Sequence, residues 1–220
     1  MQSKDLFSSH IGLRELLITF RQAGIDLNVS GYQLSGLLSS AHALADPITI
    51  LILGNEGSGK SSFISRFVEQ DISSFQSKTK LPKIIRYGDK FQNFSDEMFE
   101  EILVPHQIFK KLNFIEYNIE QLSQHSDLLK TVYKVSDLVL IIVPAIDPWD
   151  TSVYGVVSDL NMITNLPLAV VLSHSDLRTD EENNAFKDYI HQSTEKALGN
   201  LIPVFEVPYV NYSQSNRLEN

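Results

Sequence analysis

Cysteine is absent from the 220-residue sequence, which excludes disulfides, iron–sulfur clusters and thiol catalysis. A reducing cytoplasm fits that absence. Positive charge is scarce: 18 Lys and Arg against 27 Asp and Glu give a formal net charge of -9 and a pI near 5.1. This balance disfavours nonspecific binding to nucleic acid or to an anionic membrane surface, since both attract basic proteins. Long apolar runs are missing too. LVLIIVPAI at 138 to 146 is among the longest, far short of the roughly 20 residues a spanning helix needs. No opening segment joins a basic start to an apolar run as a signal peptide does. The expectation is a soluble, cytoplasmic protein with no direct membrane segment. Hydrophobic residues still make up 43% and charged residues 20%, an ordinary globular balance that suffices for one sizeable core.

Residues 1 to 45 read as a helical pair. Ile11, Leu13, Leu16, Leu17 and Phe20 recur near helical spacing, and Gly24 stands where a helix end favours glycine. A second helix is expected from Ser30, an N-cap type, up to Asp46-Pro47, because the residue before proline avoids the helical region. His10 and His42 in this pair are read as structural.

Beyond Pro47 short apolar runs alternate with helical stretches. Strands are expected at 48–53, 83–87, 112–117, 137–144, 167–173 and 203–207. Several are apolar on both faces, as buried parallel strands are. With helical patterns between them, the order is that of a three-layer α/β domain with a mainly parallel sheet, over residues 46–212, whose ligands sit at the carboxyl ends of the strands. The polar tail 213–220 is expected to fray.

The most specific signal is GNEGSGKS at 54–61, which satisfies G-x-x-x-x-G-K-[ST] directly after an apolar strand and directly before a helical stretch. This is the context of a P-loop. Gly54, Gly57 and Gly59 permit turns closed to residues with a Cβ, so that N–H groups along Asn55, Glu56, Ser58 and the glycines converge on one anion. Lys60 is expected to reach the β and γ phosphates, the Ser61 hydroxyl to coordinate Mg2+, and Ser62 to complete the cradle. A bound nucleotide with magnesium follows.

A carboxylate just beyond a buried strand can accept from guanine N1–H and its exocyclic amine, a donor pair that adenine lacks. AVVLSHSDL at 169–177 places Asp176 there. Ser173 and His174 precede it: Ser173 retains a hydrogen-bonding hydroxyl, and the imidazole of His174 can stack on a base. The alternative role for Asp176 is to cap the following helix.

GNEGSGKSSF, preceded by ADPITILIL and followed by SKTKLPKIIRYGD and SDLVLIIVPAIDPWD, resembles the G domain of dynamin-like GTPases, particularly bacterial ones, over roughly residues 31 to 207. The resemblance implies a protein that binds GTP or GDP with Mg2+ and hydrolyses GTP to GDP. It makes Thr79 the switch threonine, meeting magnesium and the γ phosphate when a mobile loop closes. It places Glu116 at the aspartate of a D-x-x-G turn, holding the metal through water, and Glu56 where dynamins orient the attacking water with glutamine. It also implies a homodimer through the G domain, or a helical partner subunit packed on residues 11–45.

Three positions depart from that pattern. Ile119 falls at the D-x-x-G glycine, which removes the usual backbone contact to the γ phosphate. Glu56 brings like charge toward that phosphate, and Gly57 replaces a serine. Two other readings therefore stay open: a degenerate G domain serving as an interaction module, and an ATP-using P-loop enzyme. Glu97, Glu100 and Glu101 read as a solvated helix face. His106, His125 and His191 lack metal-ligand spacing, and no nucleophile elbow accompanies SHSD.

Overall fold

The computed structural model describes residues 47–68, 81–95, 97–120, 131–146, 149, 151–163, 166–199 and 201–208. The expected helical pair at 1–45, the tail at 213–220 and Thr79 lie outside them. In chain order the elements are β1 (Ile48–Gly54), α1 (Lys60–Ser65), β2 (Lys83–Tyr87), β3 (Gln92–Ser95), β4 (Glu100–Val104) and β5 (Leu112–Asn118). They continue with β6 (Leu138–Pro144), α2 (Thr151–Ile163), β7 (Leu168–Ser173), α3 (Asp180–Leu198) and β8 (Val204–Val207).

The strands form one sheet in the order β3-β4-β2-β5-β1-β6-β7-β8. β5, β1, β6, β7 and β8 are parallel neighbours, while β2 runs antiparallel to β5, and β3 to β4. Helices cover both faces, which gives the three layers expected.

Alternation along the strands sends successive side chains to opposite faces. Ile50, Ile52, Phe114, Leu140 and Ile142 pack on the face that receives Phe63, Ile64 and Phe67. Leu51, Leu53, Ile115, Tyr117, Ile141 and Val143 pack on the other, against Val153, Val157 and Leu160 of α2 and Ile190 of α3. Each such side chain contributes roughly 1.5–3 kcal/mol by leaving water. The two apolar faces of β1 explain why its run is continuous rather than alternating.

The sequence reading finds six of these strands and misses β3 and β4. Glu100 and Glu101 belong to strand β4, which corrects the expected helix face. Glu100 is fully buried and accepts from Asn93 Nδ2 at 2.5 Å, whereas Glu101 points the other way and pairs with Arg86. Acidic residues at i, i+3 and i+4 mimic a solvated helix, and only pairing with β2 and β3 shows the period of two.

The start of α3 is fixed by Thr179, whose hydroxyl accepts from Glu182 N–H at 3.2 Å while its own N–H donates to the Glu182 carboxylate at 3.0 Å. This is a capping box. Gly199 ends the helix in the left-handed region at φ 68. Among the described residues no helix is long and apolar enough to cross a membrane.

Candidate functional site

The loop between β1 and α1 lies at the carboxyl end of the central strand, beside the ends of β5, β6 and β7. Gly54 closes β1 in a space that admits no side chain: a Cβ there would stand 2.5 Å from Ser58 Oγ and 2.6 Å from the Ile142 carbonyl oxygen. Asn55 follows, and its carbonyl accepts from Ser58 N–H at 3.2 Å. Glu56 and Gly57 form the exposed tip, with Gly57 at φ 76. Gly59, at φ 92, precedes α1, and a Cβ on it would meet His174 at 3.3 Å.

Lys60 folds back over the loop it follows. Its ammonium donates to the carbonyls of Gly54 at 2.9 Å and Asn55 at 2.6 Å, and the residue is only 8% exposed. Burial lowers its pKa and outweighs the opposing attraction of Glu116; Lys83 lowers it further. The ammonium is thus held by two carbonyl dipoles of the loop.

In the next residue, Ser61, Oγ lies 3.0 Å from both carboxylate oxygens of Glu116. Glu116 is buried on β5, level with Ile52 of β1 and opposite Lys83 of β2. Residues directly opposite in an antiparallel pair share a face, so Lys83 stands on the same face as Glu116. Ile119 is 3% exposed within the apolar cluster on the α2 side of the sheet. Its position is that of a core residue.

At the end of β7, Ser173 donates its hydroxyl hydrogen to the Ser58 carbonyl at 2.6 Å, which ties the strand end to the phosphate loop. His174 takes the left-handed backbone region at φ 57, and its Nδ1 lies 3.0 Å from Ser173 Oγ. Asp176 follows on the exposed side of the short 3-10 turn Ser175–Leu177. That turn is held from behind by buried Asn183, whose Nδ2 donates to the Ser175 carbonyl at 2.8 Å. Because Thr179 caps α3, the helix does not use Asp176 for that purpose.

The loop, Glu116 of β5 and the end of β7 with its 3-10 turn converge from three distant parts of the sequence. The sheet order around them, central β1 flanked by β5 and β6 with helices on both faces, decides the fold. The fold is that of the P-loop GTPases. Solved structures of bacterial dynamins share it. A chain of an oligomerised bacterial dynamin pair, associated with long-range sensing and tethering of membranes, matches with a TM-score of 0.64 at 14% identity, over 94% of this chain and 39% of its own. A second chain of such a pair gives 0.63 at 12% identity, over 94% and 46%. The LeoA bacterial dynamin GTPase from ETEC gives 0.54 at 14% identity, over 98% and 40%. The chain therefore spans less than half the length of each. No family model and no curated protein matches the sequence.

Within this GTPase fold the sequence reading overlooks one wall of the site. Phe63 of α1 and Arg66 just beyond it, together with Val207 at the end of β8 and Pro208 after it, line a cleft with Gly59, Ser62, Ser173 and His174. Arg66 donates through Nη2 to the Pro208 carbonyl across it. Neither residue belongs to a recognisable motif.

Among the described residues no three His, Cys, Asp or Glu side chains gather as a metal centre. The fit for magnesium is of another kind. A hydroxyl and a carboxylate side by side at the loop are hard oxygen donors, and magnesium commonly takes one or two such groups plus phosphates and water.

Proposed function

We propose that this chain is a guanine-nucleotide-binding domain of the dynamin-like kind, spanning residues 46–212 after a helical segment at 1–45. The observation that carries the reading is the convergence of Lys60, Ser61 and Glu116 at a glycine loop that only glycine can form at position 54. In this reading the phosphates lie in the loop, and Lys60 exchanges its two carbonyl contacts for phosphate oxygens. Ser61 holds Mg2+ directly and Glu116 holds it through water. When bound, the ion neutralises charge on the β and γ phosphates.

Asp176 reads the base from its 3-10 turn, with His174 beside it and Ser173 as the strap to the loop. Thr79 supplies the switch contact, and Glu56 accepts from the attacking water. Slow hydrolysis is expected. Ile119 is anchored in the core where a mobile glycine would serve the γ phosphate, and the Glu56 carboxylate repels that phosphate. A second copy of the domain, or a helical partner on residues 11–45, then supplies what the site lacks. The buried Ile119 also favours the second reading, a G domain that works as a nucleotide-gated interaction module.

The deciding experiment is titration of nucleotide-free protein with fluorescent GTP and ATP analogues, with and without magnesium, alongside Lys60→Ala and Asp176→Ala. The expected result is a GTP preference that Asp176→Ala removes and binding that Lys60→Ala abolishes. Equal affinity for ATP and GTP would instead identify an ATP-using P-loop protein. If neither nucleotide binds, the reading fails.

A further inference from the structure

The cleft beside the phosphate loop has a donor on one wall that no motif accounts for. Ser173 has a single hydroxyl hydrogen, and the Ser58 carbonyl receives it at 2.6 Å. Its Oγ can therefore meet His174 Nδ1, 3.0 Å away, only as an acceptor. This places an imidazole hydrogen on Nδ1. Pro208 has no N–H and offers a carbonyl, which Arg66 Nη2 engages. The guanidinium thus lines the cleft as a planar fork of donors, steadied by one of its own hydrogen bonds. Asp176, two residues beyond His174, is an acceptor.

A guanine carries donors on N1 and its 2-amino group, and acceptors on O6 and N7. Adenine keeps N7 but replaces O6 by an amine, which a guanidinium repels. We propose that Arg66 is a base-reading residue: its guanidinium donates to O6 and N7 of a guanine in this cleft and so favours guanine over adenine. This rests on the guanine-nucleotide reading above. The chemistry is that of arginine on the same guanine edge in duplex DNA, where the contact discriminates by roughly tenfold to a hundredfold. Arg66 adds to Asp176 because the two residues read different atoms of the base.

The test uses diphosphates, so that binding is separated from turnover. Dissociation constants are measured for GDP, 7-deaza-GDP (which lacks N7) and IDP (which lacks the 2-amino group), on the wild type, Arg66→Ala and Arg66→Lys. The wild type should bind 7-deaza-GDP more weakly than GDP. Arg66→Ala should weaken GDP by roughly tenfold or more but weaken 7-deaza-GDP distinctly less. The fold loss on IDP should equal that on GDP, since the 2-amino group faces elsewhere. Arg66→Lys keeps the charge without the fork and should recover little of the selectivity.

A purely structural strap from Arg66 to the chain after β8 is the competing role; it predicts equal losses on GDP and 7-deaza-GDP, and that result overturns the proposal. If Arg66→Ala does not fold, the wild-type comparison decides, because 7-deaza-GDP bound as tightly as GDP refutes the N7 contact. A wild type that binds no GDP would overturn both readings. A wild type that distinguishes GDP from IDP but not from 7-deaza-GDP overturns only the role of Arg66.

Discussion

Ser61 and Glu116 are fifty-five residues apart in sequence, yet the serine hydroxyl lies 3.0 Å from both oxygens of the carboxylate. The extra methylene of glutamate over aspartate lets a side chain on β5 touch the first turn of α1 directly. Glu116→Gln keeps this shape and removes the charge. GDP affinity in excess magnesium should then fall about tenfold, the usual loss when a group that orients a metal ligand is changed. Affinity in EDTA should hardly move. Equal losses under both conditions would show that Glu116 serves the loop and not the metal.

Ile119 stands where a flexible glycine is expected in an active GTPase of this kind, but its side chain is part of the core on the α2 side of the sheet. Ile119→Gly should lower stability by about 3–5 kcal/mol, from the lost burial and the freer backbone, as read by urea denaturation. GTP hydrolysis should not rise. A faster enzyme with little loss of stability would mean that the isoleucine merely blocks a working hinge.

Gly54 and Gly57 are both loop glycines, and their substitutions should separate. A Cβ at Gly54 meets the Ile142 backbone oxygen at 2.6 Å, an atom that cannot give way without moving β6. Gly54→Ala should cost about 1–3 kcal/mol by overpacking and distort the phosphate site. Gly57 has nothing within 4 Å of a Cβ, so only its φ of 76 opposes alanine, at roughly 1–2 kcal/mol. Thermal melts with and without GDP check both, and GDP should still protect Gly57→Ala.

In the proposed function, Lys60 makes nucleotide affinity depend on pH. Burial holds its folded pKa below the ordinary 10.5, so the protonated form is the one the folded chain disfavours. Stability of the nucleotide-free protein should therefore rise as pH climbs through the lowered pKa toward 10.5, and Lys60→Met should abolish this rise. A bound phosphate favours the charged form, so GDP affinity should fall over the same window. An affinity that is flat up to pH 10.5 would show that Lys60 makes no phosphate contact.

The legibility of the sequence was uneven for physical reasons. The strands at 48–53 and 137–144 and the glycine loop announce themselves, because two-sided burial demands continuous apolar runs and a phosphate cradle demands glycine. α3 falls in one of the helical stretches read between the strands, but its cap is Thr179 and not Asp176, the alternative the sequence offers. β3 and β4 were hidden because their stabilising contacts are with other strands: Glu100 lies in the interior, accepting from Asn93 and pairing with β2 and β3. Arg66 and Pro208 were hidden likewise, as parts of one wall built from two ends of the chain.

The sequence by itself determined the α/β order, the phosphate loop and the position of Asp176 at a strand end, since each depends on residues within a few positions of one another. Tertiary structure alone decided that Glu116 reaches Ser61, that Ser173 straps the loop through the Ser58 carbonyl, that Ile119 is core, and that Arg66 faces the cleft. These are contacts between segments brought together by strand order, and strand order is set by the summed burial of two faces that no local pattern encodes.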